Sequence, residues 1–493
     1  MWFLETTNSI SNLQCGFRKN RSTVDHLIRL ETFIRECFIR KEHMVAIFFD
    51  LEKAFDTTWK HGILKDLFDL GLRGNLPVFI KNFLNHRSFQ VRVGSSLSDP
   101  HLQEEGVPQG SILSPLLFEI KINSIVNTLQ SNIDSSLYVD DFLICYRSKG
   151  KIDSIERQLQ LQLNKLEEWA NSNGFKFSPS KTVAVHFCLR HSCVREPDLF
   201  INKEKIPVKE HNRFLGVTFD KKLTFHPHLK DLKTRCQTAL NALKILANPE
   251  WGGDSGHLLH LYRSLIRSKL DYGCQIYGSA KKSRLKMLDP IQNQGLRLAL
   301  GAFRTSPADS LQIMANEPPL ELRRKKLSLQ YAIKLSSNPQ NPAHDIVFKP
   351  PTDIKNITSK KEEITKTFGL RILADLNELK FSPDDTQKTF FPDIPPWRLT
   401  EPTIDLSLTE HSKESTDTRT YKKQFQHLIE NYPTSKHIFT DGSKTDSAVG
   451  AAATSTTHTL MKKSALILLS FQQKPPPSTF LLRLLKNPIS PTF

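Results

Sequence analysis

Two short apolar runs end on carboxylates. Val45 to Phe49 is continuous and stops at Asp50, while Leu137-Tyr138-Val139 runs into Asp140-Asp141 and Phe142 to Cys145 runs out again. Runs of this length, rich in β-prone residues, read as buried strands, the second pair as a hairpin with the two aspartates at its tip. Around them the period changes to that of a helix. Ile63, Leu64, Leu67, Phe68 and Leu70 give an amphipathic helix within Thr57 to Leu72, ended by Gly71. Ile155, Leu159, Leu163, Leu166 and Trp169 give another over Asp153 to Ala170, stopped at Asn173-Gly174. Between the acidic runs, Gly106-Val107-Pro108-Gln109-Gly110-Ser111 predicts a tight turn able to approach a ligand closely, followed by a buried helix. From His226 to about Arg304 the pattern is helical, and from Asn338 to Asn431 it weakens into a Pro-, Lys-, Thr- and Ser-rich linker with short ordered pieces.

The carboxylates change this picture. Two adjacent aspartates at a hairpin tip repel each other and are costly to desolvate unless a cation lies between them. A solvated Asp-Asp turn is the ordinary reading of an isolated pair. Here a second strand ends on Asp50, and side by side Asp50 and Asp140 could hold two metal ions across a phosphoryl transfer. Magnesium suits such a site, because it takes hard oxygen ligands and keeps open positions for substrate.

The ordered set Phe49-Asp50-Leu51-Glu52-Lys53-Ala54-Phe55-Asp56, then Gly106 to Ser111, then Tyr138-Val139-Asp140-Asp141 resembles the palm of reverse transcriptases. Gln14-Cys15-Gly16-Phe17-Arg18-Lys19-Asn20-Arg21-Ser22-Thr23, Gly174 to Thr182 and Phe214-Leu215-Gly216-Val217 extend the resemblance to the jockey-like group of non-LTR retrotransposons, from about Trp2 to the early 450s. It implies an α/β (α+β) right-hand polymerase with partial fingers and a palm (1–225), a helical thumb (226–335), a linker (336–431) and a ribonuclease H-like start (432–457). It implies RNA-directed DNA polymerisation on an RNA template from a DNA primer and dNTPs, with other products of the same element as further partners. Asp50, Asp140 and Asp141 would hold two Mg2+ ions, with Mn2+ an alternative. Phe55 would exclude the 2′-hydroxyl, and Gln109 and Gly110 would line the nucleotide. Lys181 would protonate the pyrophosphate. Phe214, Leu215 and Gly216 would grip the primer; Arg18, Lys19 and Arg21 would touch template phosphates. Asp441, in Ile438 to Lys444, resembles the first metal-binding acid of ribonuclease H. No Asp or Glu follows Asp446, so ribonuclease H activity is expected to be absent.

Composition agrees with a phosphate-rich partner: 493 residues, formal net charge +17 and seven scattered cysteines. The cysteines read as reduced thiols of an intracellular protein, nuclear or cytoplasmic, rather than a disulfide framework. No apolar run is long enough for a membrane span. His186, Cys188, His191 and Cys193 lie too close together for a zinc finger and read as incidental residues of a palm hairpin. The first residues begin almost at the Gln14 motif, where the family has finger strands, and the tail from 458 turns Leu-, Lys- and Pro-rich. The expectation is a segment cut from a longer polyprotein, with a frameshift as the origin of the tail. The alternative function is a non-catalytic, decayed transposon product that at most binds nucleic acid.

Overall fold

The computed structural model describes residues 1–465 except 190–194, 249, 361–363, 391–393, 399–404, 411–415, 433–436, 445–447 and 456–458; for most of 440–465 it describes the backbone course alone. The chain divides into two compact units, Met1–Asp393 and Ile394–Phe493.

Unit 1 is built on the helix α1 (Thr23–Arg40) and a four-stranded antiparallel sheet of β1 (His43–Phe49), β2 (Asp134–Tyr138), β3 (Asp141–Ser148) and β4 (Val183–Phe187). The spatial order is β2-β3-β1-β4. Every residue of β1 is buried. Its alternate residues enter two different cores: Met44, Ala46 and Phe48 one, Val45, Ile47 and Phe49 the other. A strand covered on both faces reads as a continuous apolar run, and that is how it stands in the sequence.

The second core lies under α2 (Lys60–Asp69), α3 (Leu113–Ile122) and α4 (Ile152–Asn173). The long helix α4 matches its expected span, and Gly174 ends it in the left-handed conformation, φ 74°. The first core continues through the hairpin β5 (His211–Phe214) and β6 (Val217–Asp220) into a helical layer that starts with α5 (His226–Leu246).

That layer runs further than the sequence suggested. The segment from 336, read as a linker, supplies α6 (His344–Phe348), α7 (Thr352–Lys360) and α8 (Phe368–Glu378) to unit 1. Phe368, Ile372 and Leu376, four residues apart, are buried in the first core. Three such residues on one stripe suffice to bury a helix, although the surrounding composition is polar. Arg371 on α8 also reaches the fully buried Glu31 of α1 at 3.0 Å.

In unit 2, β7 (Ile438–Lys444), β8 (Ala448–Ser455) and β9 (Thr459–Ala465) form a three-stranded antiparallel sheet in that order. Asp441 lies in β7; its side chain falls outside the described residues, as do His191 and Cys193. Among the described residues, no helix is long and apolar enough to cross a membrane.

Candidate active site

The three carboxylates come together through strand register. Phe49 of β1 pairs with Phe142 of β3, so Asp50, one residue on, lies across from Asp141. Tyr138 pairs with Asp141, which makes Val139-Asp140 a two-residue turn. All three carboxylates therefore stand at one end of the sheet.

Their electrostatics suit a cation. Burial by the surrounding fold, followed by repulsion from Asp140 and Asp50, raises Asp141 to about 6. Asp140 is also raised, by burial first and by Asp50. Asp50 Oδ2 is buried without a hydrogen bond, its nearby cation being the Lys181 ammonium at 3.3 Å. Three carboxylates gathered at one sheet end, with one exposed lysine beside Asp50, are a donor set for hard cations.

The turn that carries them is strained. Val139 has φ 59°, a conformation ordinarily left to glycine at this place of a hairpin and disfavoured most for β-branched side chains. Its cost is about 1–3 kcal/mol, and it persists only where the surroundings fix it. Gln14 does so. Its buried amide donates from Nε2 to Val139 O at 3.2 Å and accepts at Oε1 from Val139 N at 2.9 Å. The same Oε1 accepts from Gly16 N at 2.9 Å, and Cys15 N donates to Leu137 O at 3.3 Å. Gly16 permits this approach: a Cβ there would stand 2.4 Å from Val139 Cγ2. Sequence reasoning quoted the Gln14 motif but gave Gln14 no task. A polar residue amid Leu13, Cys15 and Gly16, just before a basic loop, was the available signal.

The remaining expected residues separate into those at the site and those beside it. Phe55 is half-buried and stacks on Phe118, ring centres 4.5 Å apart and 18° from parallel. Val107 N donates to Phe55 O at 2.9 Å, which ties the Gly106 to Ser111 turn to this segment. Exposed Gln109 donates from Nε2 to Asp56 Oδ1 at 2.9 Å, and Gly110 follows with φ 91° in open space. Lys181 reaches Asp50 as above, so it belongs to the cluster.

At β5–β6, Leu215 and Gly216 form a turn with φ 42° and 81°, the positive pair of a tight hairpin. Tyr272 Oη donates to Leu215 O at 2.7 Å and lies 3.1 Å from the Thr23 hydroxyl, which holds this turn from the helical layer. Phe214 itself is buried against Phe48, so only the turn is presented.

Arg18 departs from its expected role. It is 7% exposed, and its guanidinium forks onto Glu5 at 2.8 and 2.6 Å while donating to Ser11 O and Gln14 O. Those bonds tie Arg18 to the loop that carries Gln14 and leave no open face for a phosphate. Arg21 donates to Asn12 Oδ1 at 3.2 Å, and Lys19 is exposed.

Residues 2–219 match the family described as reverse transcriptase (RNA-dependent DNA polymerase). The chain is 29% identical over 352 residues to the RNA-directed DNA polymerase from mobile element jockey of Drosophila melanogaster, covering 69% of this chain and 38% of that protein. It is 31% identical over 293 residues to the probable RNA-directed DNA polymerase from transposon BS of the same species, covering 58% and 32%. The matched part of the chain thus spans about a third of the length of these relatives. Among solved structures, apo telomerase from Candida tropicalis aligns at 12% identity and TM-score 0.36, over 77% of this chain and 59% of that one, too loosely to bear on the fold. Residues 2–219 thus resemble the reverse transcriptase family, and the wider chain is similar to the polymerases of jockey-type mobile elements.

Proposed function

We propose that the chain is an RNA-directed DNA polymerase of a jockey-like non-LTR retrotransposon, extending a primer 3′-hydroxyl along an RNA template with dNTPs. The observation that carries this reading is the convergence of Asp50, Asp140 and Asp141 at the mouth of one sheet, with raised carboxyls at Asp140 and Asp141. The four-stranded sheet with α2 to α4 is the palm and the helices from α5 onward the thumb. Unit 2 carries a ribonuclease H-like sheet, and no Asp or Glu follows Asp446 in the chain.

Asp50 and Asp140 would hold two Mg2+ ions, with Asp141 supporting the site beside them. Bound there, the ions supply the positive charge that lowers the barrier to in-line attack on the α-phosphate. The protein's own residues position the reactants. The Gln14-braced turn fixes Asp140 relative to Asp50, and the packed sheet prevents their repulsion from opening the site. Phe55, steadied by Phe118, lies under the sugar and clashes with a 2′-hydroxyl. Gln109 and Gly110 offer an amide and an open backbone to the nucleotide. Lys181 Nζ holds a proton for the leaving pyrophosphate. Leu215-Gly216 supports the primer, and the template contact falls to Lys19 and Arg21.

Single-nucleotide incorporation with dNTPs and rNTPs tests the reading. Wild type should strongly prefer dNTPs, and Phe55→Val should accept rNTPs at least tenfold better while keeping dNTP incorporation. Equal selectivity in the two proteins would remove Phe55 from the sugar site.

A further inference from the structure

At the opposite end of β1 from Asp50, three soft or borderline donors meet. Met44 pairs with Phe187 and Val45 with His186, so His43 lies opposite Cys188 by the same register. Directly opposed residues of an antiparallel pair project to one side, and residues two apart on a strand do so as well. His43, His186 and Cys188 therefore share one face. Their ligand atoms all lie within 4.8 Å of one another. His43 Nδ1 and His186 Nε2 are 3.1 Å apart. His43 is 3% exposed, His186 4% and Cys188 9%.

We propose that His43, His186 and Cys188 form a zinc site, separate from the magnesium site of the polymerase. Four-coordinate zinc with nitrogen and sulfur ligands uses bonds of about 2.0–2.3 Å, which sets tetrahedral ligands roughly 3.3–3.8 Å apart. The observed cluster needs only small rotations to reach that spacing. The surroundings complete a metal-type arrangement. His186 Nδ1 lies 3.0 Å from Glu196 Oε2 and, facing an acceptor, carries the proton. Its Nε2 then carries a lone pair directed into the cluster, where it accepts from His43 Nδ1, whose proton zinc binding would displace. A carboxylate behind a histidine whose other nitrogen faces a metal is the recurring outer partner of zinc ligands, fixing tautomer and ring orientation. A thiolate and two imidazoles select zinc over magnesium, whereas the all-oxygen cluster at Asp50 selects the reverse.

The two sites are kept apart by the length of β1, about 23 Å for seven residues. The sequence pointed away from zinc because His186 and Cys188 are too close to each other to frame a finger. The third donor comes from another strand 143 residues earlier, which no local spacing reveals. Bound zinc would staple the ends of β1 and β4, where the chain leaves the sheet after Cys188.

The test uses the full, untagged chain. It is dialysed against zinc under reducing conditions and analysed for bound metal, then loaded with cobalt(II) for absorption spectroscopy. One zinc per chain should survive dialysis, cobalt should give thiolate charge-transfer absorption, and zinc should raise the thermal midpoint. Cys188→Ser should abolish the charge-transfer band and the thermal shift, and His186→Gln should weaken retention at least tenfold. Asp140→Asn should leave all three signals intact. Absence of retained zinc and of the cobalt band in wild type would overturn the site and leave a hydrogen-bonded histidine pair. So would a band unchanged in Cys188→Ser. Because wild type alone decides the first outcome, a variant that fails to fold does not shelter the proposal.

Discussion

Asp141 titrates well above the ordinary range of an aspartate. With burial and then Asp140 and Asp50 raising it to about 6, Asp141 holds its proton more tightly in the folded, metal-free protein than in the unfolded chain. Stability from this group is full below its ordinary value near 3.8 and is lost as pH rises through about 6. Asp141→Asn should therefore stabilise the metal-free protein at pH 7.5, by about 1 kcal/mol after allowance for solvent screening, and should impair catalysis. Apparent Mg2+ affinity should weaken as pH falls through about 6, since cation and proton compete for the same oxygens. Calorimetric melting and Mg2+ titration across pH 5–8 measure both. An unchanged midpoint in Asp141→Asn would mean that the carboxylates do not repel. Gln14 poses the companion case. Gln14→Ala leaves Val139 N–H and C=O without partners beside a strained φ, so folding should lose about 2–4 kcal/mol. Gln14→Glu keeps one acceptor and loses the donor to Val139 O, so its Mg2+ half-saturation should rise even where its fold is intact. A Gln14→Glu protein with wild-type Mg2+ dependence would reduce Gln14 to packing.

The strands and the longer helices were legible because burial and period coincide in them. β1 is apolar on both faces, and α4 repeats Ile155, Leu159, Leu163 and Leu166 on one. The acidic cluster followed from where those strands stop. What escaped was whatever depends on distant pairing: the Gln14 brace, the burial of Arg18 by Glu5, and the helices hidden in the polar stretch after 336. Those helices are held through α1, whose Glu31 is fully buried and receives Arg35 at 3.3 Å and Arg371 at 3.0 Å. Glu31→Ala would strand two cations in the interior, so it should cost about 3–5 kcal/mol in denaturant unfolding. In limited proteolysis, α8 should resist cleavage in wild type and become sensitive in Glu31→Ala. Glu119 on α3 gives a second measurement at this scale. Neither of its carboxylate oxygens has a hydrogen-bond partner, and burial raises it to about 8. Its contribution is full below its ordinary 4.5 and is lost as pH rises through 8, a dependence that Glu119→Gln should remove.

For the whole chain, 68 Lys and Arg against 51 Asp and Glu set a strongly positive field. Binding to RNA should weaken steeply with salt whether or not the site is intact, because that attraction is to phosphates in general. Binding alone thus separates neither the polymerase reading nor the relic reading. Catalysis does, since it requires the sheet, the braced turn and three carboxylates to act together. The most direct measurement is primer extension on an RNA template with Mg2+, wild type against Asp140→Ala, at a salt concentration where both bind the template. The account predicts extension by wild type that is lost in Asp140→Ala. Equal extension by the two proteins, or none by a wild type that binds the primed template, would contradict it.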